Sequence, residues 1–275
     1  MRRFRAESRR VIVDMYAIER HERIGVVIGS RGRVTVAELA ESLGVTSETV
    51  RRDLDLLERQ GLLRRVHGGA VANTKTSLIE PTVADRVDRA RGAKASIADA
   101  ALALLGEGFS GSVLLDSGTT TGALAERLAG WRSADGRELI VITNSVPIAA
   151  LLHLNPAIDL HLLGGTVRGV TSAAVGTTTL DQLAHLRPDI AFVGANGISA
   201  EFGLSTPDER EASVKSAMIR SARRSVALVD STKLGDEALH RFAELRDLDT
   251  LISDQDPSGT LSAALDADEV EVIVA

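Results

Sequence analysis

The chain has 275 residues, 44% of them hydrophobic, no cysteine and a formal net charge of −6. That length supports a full core and two domains, while the missing cysteines exclude a disulfide framework and thiolate chemistry, and the six histidines lack ligand spacing, so neither a metal nor a cofactor is expected. No run reaches the roughly 18 apolar residues of a membrane span, and no apolar block follows the arginine-rich start, so a soluble, unsecreted, cytoplasmic protein with no membrane partner is expected.

The net charge conceals an asymmetry. Residues 1–75 hold 15 Lys and Arg against 10 Asp and Glu, whereas the remainder holds 17 against 28. A basic head on an acidic body points toward nucleic acid. Much of the excess comes from Arg2, Arg3, Arg5, Arg9 and Arg10, and from Met15 to Lys75 the count is only 10 against 8. Charge alone is therefore weak evidence, and pattern has to carry the argument.

Ile24, Val27 and Ile28 stand at i, i+3 and i+4, which predicts an amphipathic first helix ending near residues 30–32. Val36, Leu39, Ala40 and Leu43 repeat the pattern, with Thr35 placed as N-cap and Glu38 at capping-box spacing, and this second helix ends at Gly44. A third helix starts after Thr46 or Ser47, with Val50, Leu54 and Leu57 as its apolar stripe and Glu48, Arg52, Asp55 and Arg59 on the opposite face. Arg51 flanks that polar face.

Cations at a helix N-terminus oppose the helix dipole unless an anion arrives, and DNA is the obvious anion. Two helices joined by a short Gly-containing turn, the second with Thr46, Ser47, Thr49, Arg51 and Arg52 at its start, fit a helix-turn-helix that enters a major groove. "LLRRVHGGAV" (62–71) then reads as a β wing whose Arg64, Arg65 and His67 clamp backbone phosphates. By itself "VRRDLDLLER" would also suit a solvated helix with Arg51–Asp55 and Asp55–Arg59 pairs. The three-helix spacing, the turn and the basic wing argue against that blander reading.

"VTVAELAESLGVTSETVRRDLDLLERQGLLRRVHGGAV" resembles the winged helix-turn-helix of the DeoR family of bacterial transcription regulators, including its "RRDL", "LE..G.L.R" and "HGGA" elements. The resemblance places the family start at "MYAIERHERI", which leaves residues 1–14 as an extension, either a disordered arm or an over-long translation start. The head is then residues 15–72.

Residues 73–92 lack sustained periodicity and form the expected linker. From residue 93 to 275 apolar strands alternate with helical runs. Strands are expected at 112–116, 138–144, 159–165, 190–196, 225–230, 250–254 and 270–275, and helices at 94–105, 119–128, 146–152, 178–186 and 207–223. Near-continuous apolar strands separated by helices predict an α/β domain with a mostly parallel sheet covered on both faces.

Asp116, Thr143 with Asn144, Gly164 with Gly165, Gly194 through Asn196, and Asp230 all fall at carboxyl ends of these strands, where ligands bind in open parallel sheets. "DSGTTTGAL" sets Ser117, Gly118, Thr119, Thr120 and Thr121 just before a helix, an anion cradle suited to phosphate, although an ordinary Ser/Thr cap would read similarly. "GEGFSG" (106–111) precedes its strand and reads as a turn, and no GK[ST] phosphate loop is present. In "TPDEREASVK" Thr206 is the expected N-cap, with Pro207 first in the helix and Glu209 at capping-box spacing. Lys215 and Lys233 are two of only four lysines against 28 arginines, a usage that fits a need for a compact ammonium; a surface Glu211–Lys215 pair is the alternative.

"LLDSGTTT", "VITNSVPIA", "LLGGTVR", "AFVGANGIS", "GLSTPDEREASVKSAMI" and "LVDSTKLG" are similar to the sensor half of the same family, which resembles the ribose-5-phosphate isomerase fold. Family sensors bind phosphorylated sugars or related metabolites. The resemblance thus implies Asp116, Thr119, Thr120, Asn144, Gly165, Arg168, Glu211, Lys215 and Lys233 as effector contacts. It implies a non-enzymatic repressor of a carbohydrate catabolic operon, a homo-oligomer (dimer or tetramer) on operator DNA, released by a phosphorylated sugar. The alternative is a sugar-phosphate isomerase with an appended DNA-binding head, using Asp116 or Glu211 as base.

Overall fold

The structure is a computed structural model that describes residues 20–21, 23–25, 27–28, 33–59, 62–66, 68–72, 82, 86–87, 89–106, 108–132 and 136–275. Residues 1–14, His67 and most of the expected linker lie outside the described residues, as does the side chain of Arg64. The chain divides into two units between Thr76 and Ser77.

The first unit opens with helical residues at 20–21, 23–25 and 27–28, then strand β1 (Arg33–Thr35), helix α1 (Val36–Leu43), helix α2 (Ser47–Arg59), β2 (Leu63–Val66) and β3 (Gly69–Ala72). Thr35 caps α1 in a complete capping box with Glu38, and Gly44 ends the helix in the left-handed region at φ 66°, which a side chain would resist. Thr46 accepts a hydrogen bond from the Thr49 N–H at 3.2 Å and so fixes the start of α2. The apolar stripes of the helices meet in one core in which Ile24, Leu39, Val50 and Leu54 are at most 1% exposed. Burying each of these stabilises the unit by roughly 1.5–3 kcal/mol. β3 lies between β1 and β2, all antiparallel, so β2 and β3 form the expected wing.

The second unit runs α3 (Arg91–Leu105), β4 (Ser112–Leu115), α4 (Thr119–Leu128), β5 (Leu139–Thr143), α5 (Val146–Leu152), β6 (Ile158–Leu162), β7 (Thr166–Arg168), β8 (Ala173–Val175), α6 (Thr177–Leu183), β9 (Ile190–Gly194), β10 (Gly197–Ser199), β11 (Gly203–Thr206), α7 (Glu209–Ser221), β12 (Arg224–Leu228), β13 (His240–Ala243), β14 (Thr250–Ser253), α8 (Gly259–Ala267) and β15 (Glu271–Val274). Seven strands form one parallel sheet in the order β15-β14-β12-β9-β4-β5-β6. Every strand expected from the sequence is in it. Along β4 the side chains alternate: Val113 and Leu115 join the layer with Ile97, Leu124 and Ile148 of α3, α4 and α5, while Leu114 joins the layer with Leu183, Met218 and Leu261 of α6, α7 and α8.

From β4 the chain moves outward through β5 and β6, then restarts on the other side of β4 at β9 and moves outward through β12, β14 and β15. The reversal lies between β4 and β9, and in open parallel sheets ligands bind beyond the carboxyl ends of the strands at such a point. Three features were not anticipated: the β7–β8 hairpin, the antiparallel sheet β10-β11-β13, and α8. One expectation is overturned. Asp208, not Thr206, caps α7, accepting from the N–H groups of Arg210 and Glu211 at 3.0 and 3.1 Å, because Thr206 is held in β11 opposite His240.

Candidate functional site

In the first unit Thr46 and Ser47 are exposed at the start of α2 and Thr49 is half-buried. Arg51 and Arg52 project into solvent, with side chains 53% and 79% exposed, and both lie beside Glu48, at 3.7 and 3.4 Å. Exposed pairs of this kind contribute at most about 1 kcal/mol, so an incoming phosphate displaces Glu48 at little cost. The Arg51–Asp55 and Asp55–Arg59 pairs of the blander reading do not form; Asp55 instead engages Arg65 across from β2. The Arg65 N–H also donates to Glu58 at 2.7 Å, which docks the wing on α2.

Asp53 was not anticipated. It falls at i+3 from Val50 on the core side of α2 and is 6% exposed. Its carboxylate accepts from Arg20 Nε at 2.8 Å and Nη2 at 3.1 Å, and lies 2.9 Å from His21 Nε2. Burial alone would raise this carboxyl; the hydrogen bonds from Arg20 and His21 outweigh it and hold the group below the usual carboxylate range. Asp53 thereby ties the first helical residues to the helix that carries Arg51 and Arg52. A carboxylate in a core-facing register was the sequence signal.

In the second unit the switch point is built around Asp116, 1% exposed, immediately beyond β4. Its carboxylate accepts from the Gly118 N–H at 2.8 Å, the Thr121 hydroxyl at 2.7 Å and the Gly194 N–H at 2.9 Å, and it engages the Lys215 ammonium. Burial pushes the Asp116 carboxyl up, but Lys215 and these donors prevail and keep it below the ordinary range. Lys215 also donates to the Gly194 carbonyl at 2.9 Å and stands 5.6 Å over the ring of Phe242. The bond network thus joins the ends of β4 and β9 to α7. A Cβ at Gly118 would stand 3.1 Å from both Asp116 Oδ1 and Thr121 Oγ1, so the turn is compact enough to favour glycine.

The N-cap of α4 is Gly118, and no side chain caps the helix. The Ser/Thr-cap alternative for "SGTTT" therefore does not hold, and the positive end of α4 is open to an anion. Ser117, Gly118, Thr119 and Thr120 line a narrow crevice of about 20 Å³ together with Gly194, Glu211, Lys215 and Lys233. Lys233 lies 2.9 Å from Asp230, whose side chain is 2% exposed. Burial would raise Asp230, yet Lys233, Thr232 and Lys94 hold it low. Ser117, Gly118 and Thr119 also border a larger cavity of about 410 Å³, whose apolar wall includes Ala95, Ala123, Pro147, Ile148 and Leu151.

Other expected contacts are placed differently. Thr121 and Thr143 are fully buried; the Thr143 hydroxyl donates to the Leu115 carbonyl at 2.8 Å and ties β5 to β4. Asn144 is 3% exposed and donates to the Ala174 carbonyl at 2.9 Å. Gly164 and Gly165 shape the turn into β7: a Cβ at Gly165, whose φ is 150°, would fall 2.2 Å from Thr179 Oγ1. Arg168 is clamped between Asp208 and Glu211, each at 3.1 Å, and Glu211 also accepts from the Thr171 hydroxyl. Glu211 and Lys215 are therefore not a mutual surface pair. None of Asp116, Thr121, Thr143, Asn144, Gly164, Gly165 and Arg168 borders either cavity.

Residues that the sequence did not single out also line these cavities. Arg86 and Thr171 border the crevice, and Lys94 borders the larger cavity, while Asn196, one of the strand-end residues expected from the sequence, also borders the crevice. Lys94 is 5% exposed; burial, reinforced by Lys233, lowers its ammonium to about 8. Among the described residues no cluster of three or more His, Asp or Glu could hold a metal ion, and no helix is long and apolar enough to cross a membrane.

Residues 20–76 match the DeoR-like helix-turn-helix domain and residues 89–255 match the DeoR C terminal sensor domain. The HTH-type transcriptional regulator GlpR of Haloferax volcanii is 36% identical over 90% of this chain and 92% of its own length. The HTH-type transcriptional repressor GlcR of Bacillus subtilis is 32% identical over 94% and 97%, and the glycerol-3-phosphate regulon repressor of Haemophilus influenzae is 31% identical over 88% and 91%. Among solved structures, ribose 5-phosphate isomerase A of Methanocaldococcus jannaschii superposes with a TM-score of 0.37 at 21% identity, over 51% of this chain and 53% of that one. With head and sensor both matched in chain order, and regulators of the same build aligned along nearly the whole sequence, the chain belongs to the DeoR family.

Proposed function

We propose that this chain is a cytoplasmic, DNA-binding transcriptional repressor of a carbohydrate catabolic operon, released from its operator when a phosphorylated sugar occupies the crevice between β4 and β9. The observation that carries the reading is the open N-terminus of α4 at the switch point, faced by Lys215 and Lys233. Backbone N–H groups, hydroxyls and ammonium groups converge there as a phosphate requires. The adjoining cavity, part apolar and part polar, accommodates the sugar. Relatives named for glycerol 3-phosphate and for lactose phosphotransfer control support the class of effector.

Thr46, Ser47, Thr49, Arg51 and Arg52 approach base edges and phosphates in a major groove, while Arg64, Arg65 and His67 of the wing hold the backbone. A symmetric oligomer of such heads reads repeated half-sites. An effector shifts operator affinity only by its differential affinity for two arrangements, typically about 1–3 kcal/mol. The isomerase alternative is disfavoured by the state of its candidate bases. Asp116 is held ionised by Lys215 and three hydrogen bonds, which makes it a weak base, and the Glu211 carboxylate is already occupied by Arg168 and Thr171.

Operator binding by the purified protein, titrated with phosphorylated sugars, tests the reading: one or more esters should weaken the complex without being consumed. Turnover of ribose 5-phosphate would overturn it in favour of the isomerase. Arg52→Ala should weaken operator binding by roughly 1–3 kcal/mol if the guanidinium reads a base. An unchanged footprint and affinity would remove Arg52 from the interface.

A further inference from the structure

We propose that Gly122 sets the size of the effector: it keeps open the room in which the ring of a six-carbon sugar phosphate lies, one helical turn beyond the phosphate. This rests on the reading that the open N-terminus of α4 holds the phosphate. Gly122 lies within α4 and borders the larger cavity of about 410 Å³ but not the narrow crevice, whereas Ser117, Gly118 and Thr119 border both. The two spaces therefore meet at the start of α4. From there the larger one continues along the face of the helix that carries Gly122, Ala123 and Glu126.

Nothing in the fold calls for glycine at this position. The Gly122 N–H donates to the Gly118 carbonyl at 2.9 Å in ordinary helical geometry, and its φ is not positive. A Cβ built on it would meet no atom of the surrounding fold within 4 Å, so close packing does not require glycine either. Inside a helix glycine is less favourable than alanine, because it gives up the most backbone freedom on folding. A residue that weakens its helix, and whose missing side chain would touch nothing, provides space. That space is the cavity.

Position and surroundings suit a sugar ring. Gly122 stands about 6 Å along the helix axis from Gly118, and Glu126 about 12 Å. A three-carbon ester anchored at Gly118 reaches about as far as Gly122 and stays narrow, whereas a hexose ring fills the width there and extends toward Glu126. The cavity has room for roughly a dozen waters at liquid density, more than a three-carbon chain would fill. Its α5 wall supplies Ile148 and Leu151, and Leu151 is 43% exposed, an apolar surface for the C–H face of a ring. The Glu126 carboxylate can accept from ring hydroxyls.

The test uses the full-length protein and calorimetric titration with inorganic phosphate, glycerol 3-phosphate, glucose 6-phosphate, fructose 6-phosphate and fructose 1-phosphate. In the wild type at least one hexose ester should bind about tenfold or more tightly than glycerol 3-phosphate. Gly122→Leu should weaken that hexose ester by about 10- to 100-fold and raise in step the amount needed to release operator DNA, with affinity for inorganic phosphate within about threefold of wild type. Gly122→Ala, which adds one methyl group, should fall between in affinity while melting no lower than the wild type. Variants that bind the hexose ester as the wild type does, or that lose inorganic phosphate to the same extent, would overturn the assignment while leaving the phosphate reading intact. So would a wild type that binds glycerol 3-phosphate as tightly as any hexose ester. A wild type that binds none of the five probes would overturn both.

Discussion

The two units hold their positive charge in opposite ways. In the head Arg52 is 79% exposed and its partner Glu48 62%, whereas in the sensor Lys215 and Asp116 have side chains 8% and 1% exposed. An exposed pair contributes little and yields readily to a competing anion. A buried pair is costly to break, because either partner left alone is a charge in a medium of low polarity. The head is therefore ready to meet DNA with little rearrangement, while the sensor meets an anion only by sharing or exchanging partners. On the proposed reading that difference is the effector's leverage, because a ligand shifts an equilibrium only by its differential affinity for two arrangements, and a site whose partners are exchanged on binding supplies one.

The sharpest way to break the comparison is to remove one member of a pair in each unit. Lys215→Ala leaves Asp116 buried without its cation and should destabilise the sensor by about 3–5 kcal/mol, seen as a lower thermal unfolding midpoint. The double variant Asp116→Asn with Lys215→Met should recover much of that loss. Glu48→Ala, its counterpart in the head, should change stability by less than about 1 kcal/mol. Equal losses in the two single variants would show that burial does not separate the two kinds of pair.

The same contrast explains what could be read before any coordinates. Strands buried on both faces, such as Ile190–Gly194, announce themselves as apolar runs, and the helix stripes of the head do so by period. The sheet β10-β11-β13 arises from pairing at a distance: Thr206 of β11 sits opposite His240. Strands of three or four residues carry no period of their own. That pairing also defeated Thr206 as a helix cap, since its backbone was already committed to the ladder. In the site, position at a strand end did not reveal direction: the Thr143 hydroxyl turns back to Leu115, and Gly164 and Gly165 serve the turn into β7. Arg86 and Lys94 stayed hidden because they belong to, or border, an aperiodic stretch whose place against the sheet is a tertiary fact.

Titration offers a second test of the contrast. The head relies on arginines, which stay charged at any accessible pH. The sensor includes Lys94, whose ammonium burial and Lys233 bring down to about 8. A bound dianion favours the protonated ammonium, so the Lys94 contribution to effector affinity is present below that pH and lost as pH rises through it. The phosphate itself becomes a dianion above about pH 6. Effector affinity should therefore peak near neutrality and fall up to about tenfold by pH 9, with effector-free operator affinity nearly flat over the same range. Lys94→Arg should move the decline to higher pH, and an unshifted decline would mean that another group is titrating.

The smallest expected effect bears on Arg65, a cation of the wing that is held by a partner. Arg65, assigned to a backbone phosphate, is engaged by Asp55, and its side chain is 34% exposed, well below that of Arg52. Asp55 therefore competes with DNA for the wing's guanidinium. Asp55→Asn should raise operator affinity by about two- to fivefold at low salt and steepen the salt dependence by about one phosphate contact. Removing a negative charge would also help by simple attraction, so the double variant with Arg65→Ala separates the two causes. If the gain passes through Arg65 it vanishes in the double variant. If it persists, Asp55 acts only as a repulsive charge and the wing arginine contributes to docking on α2 alone.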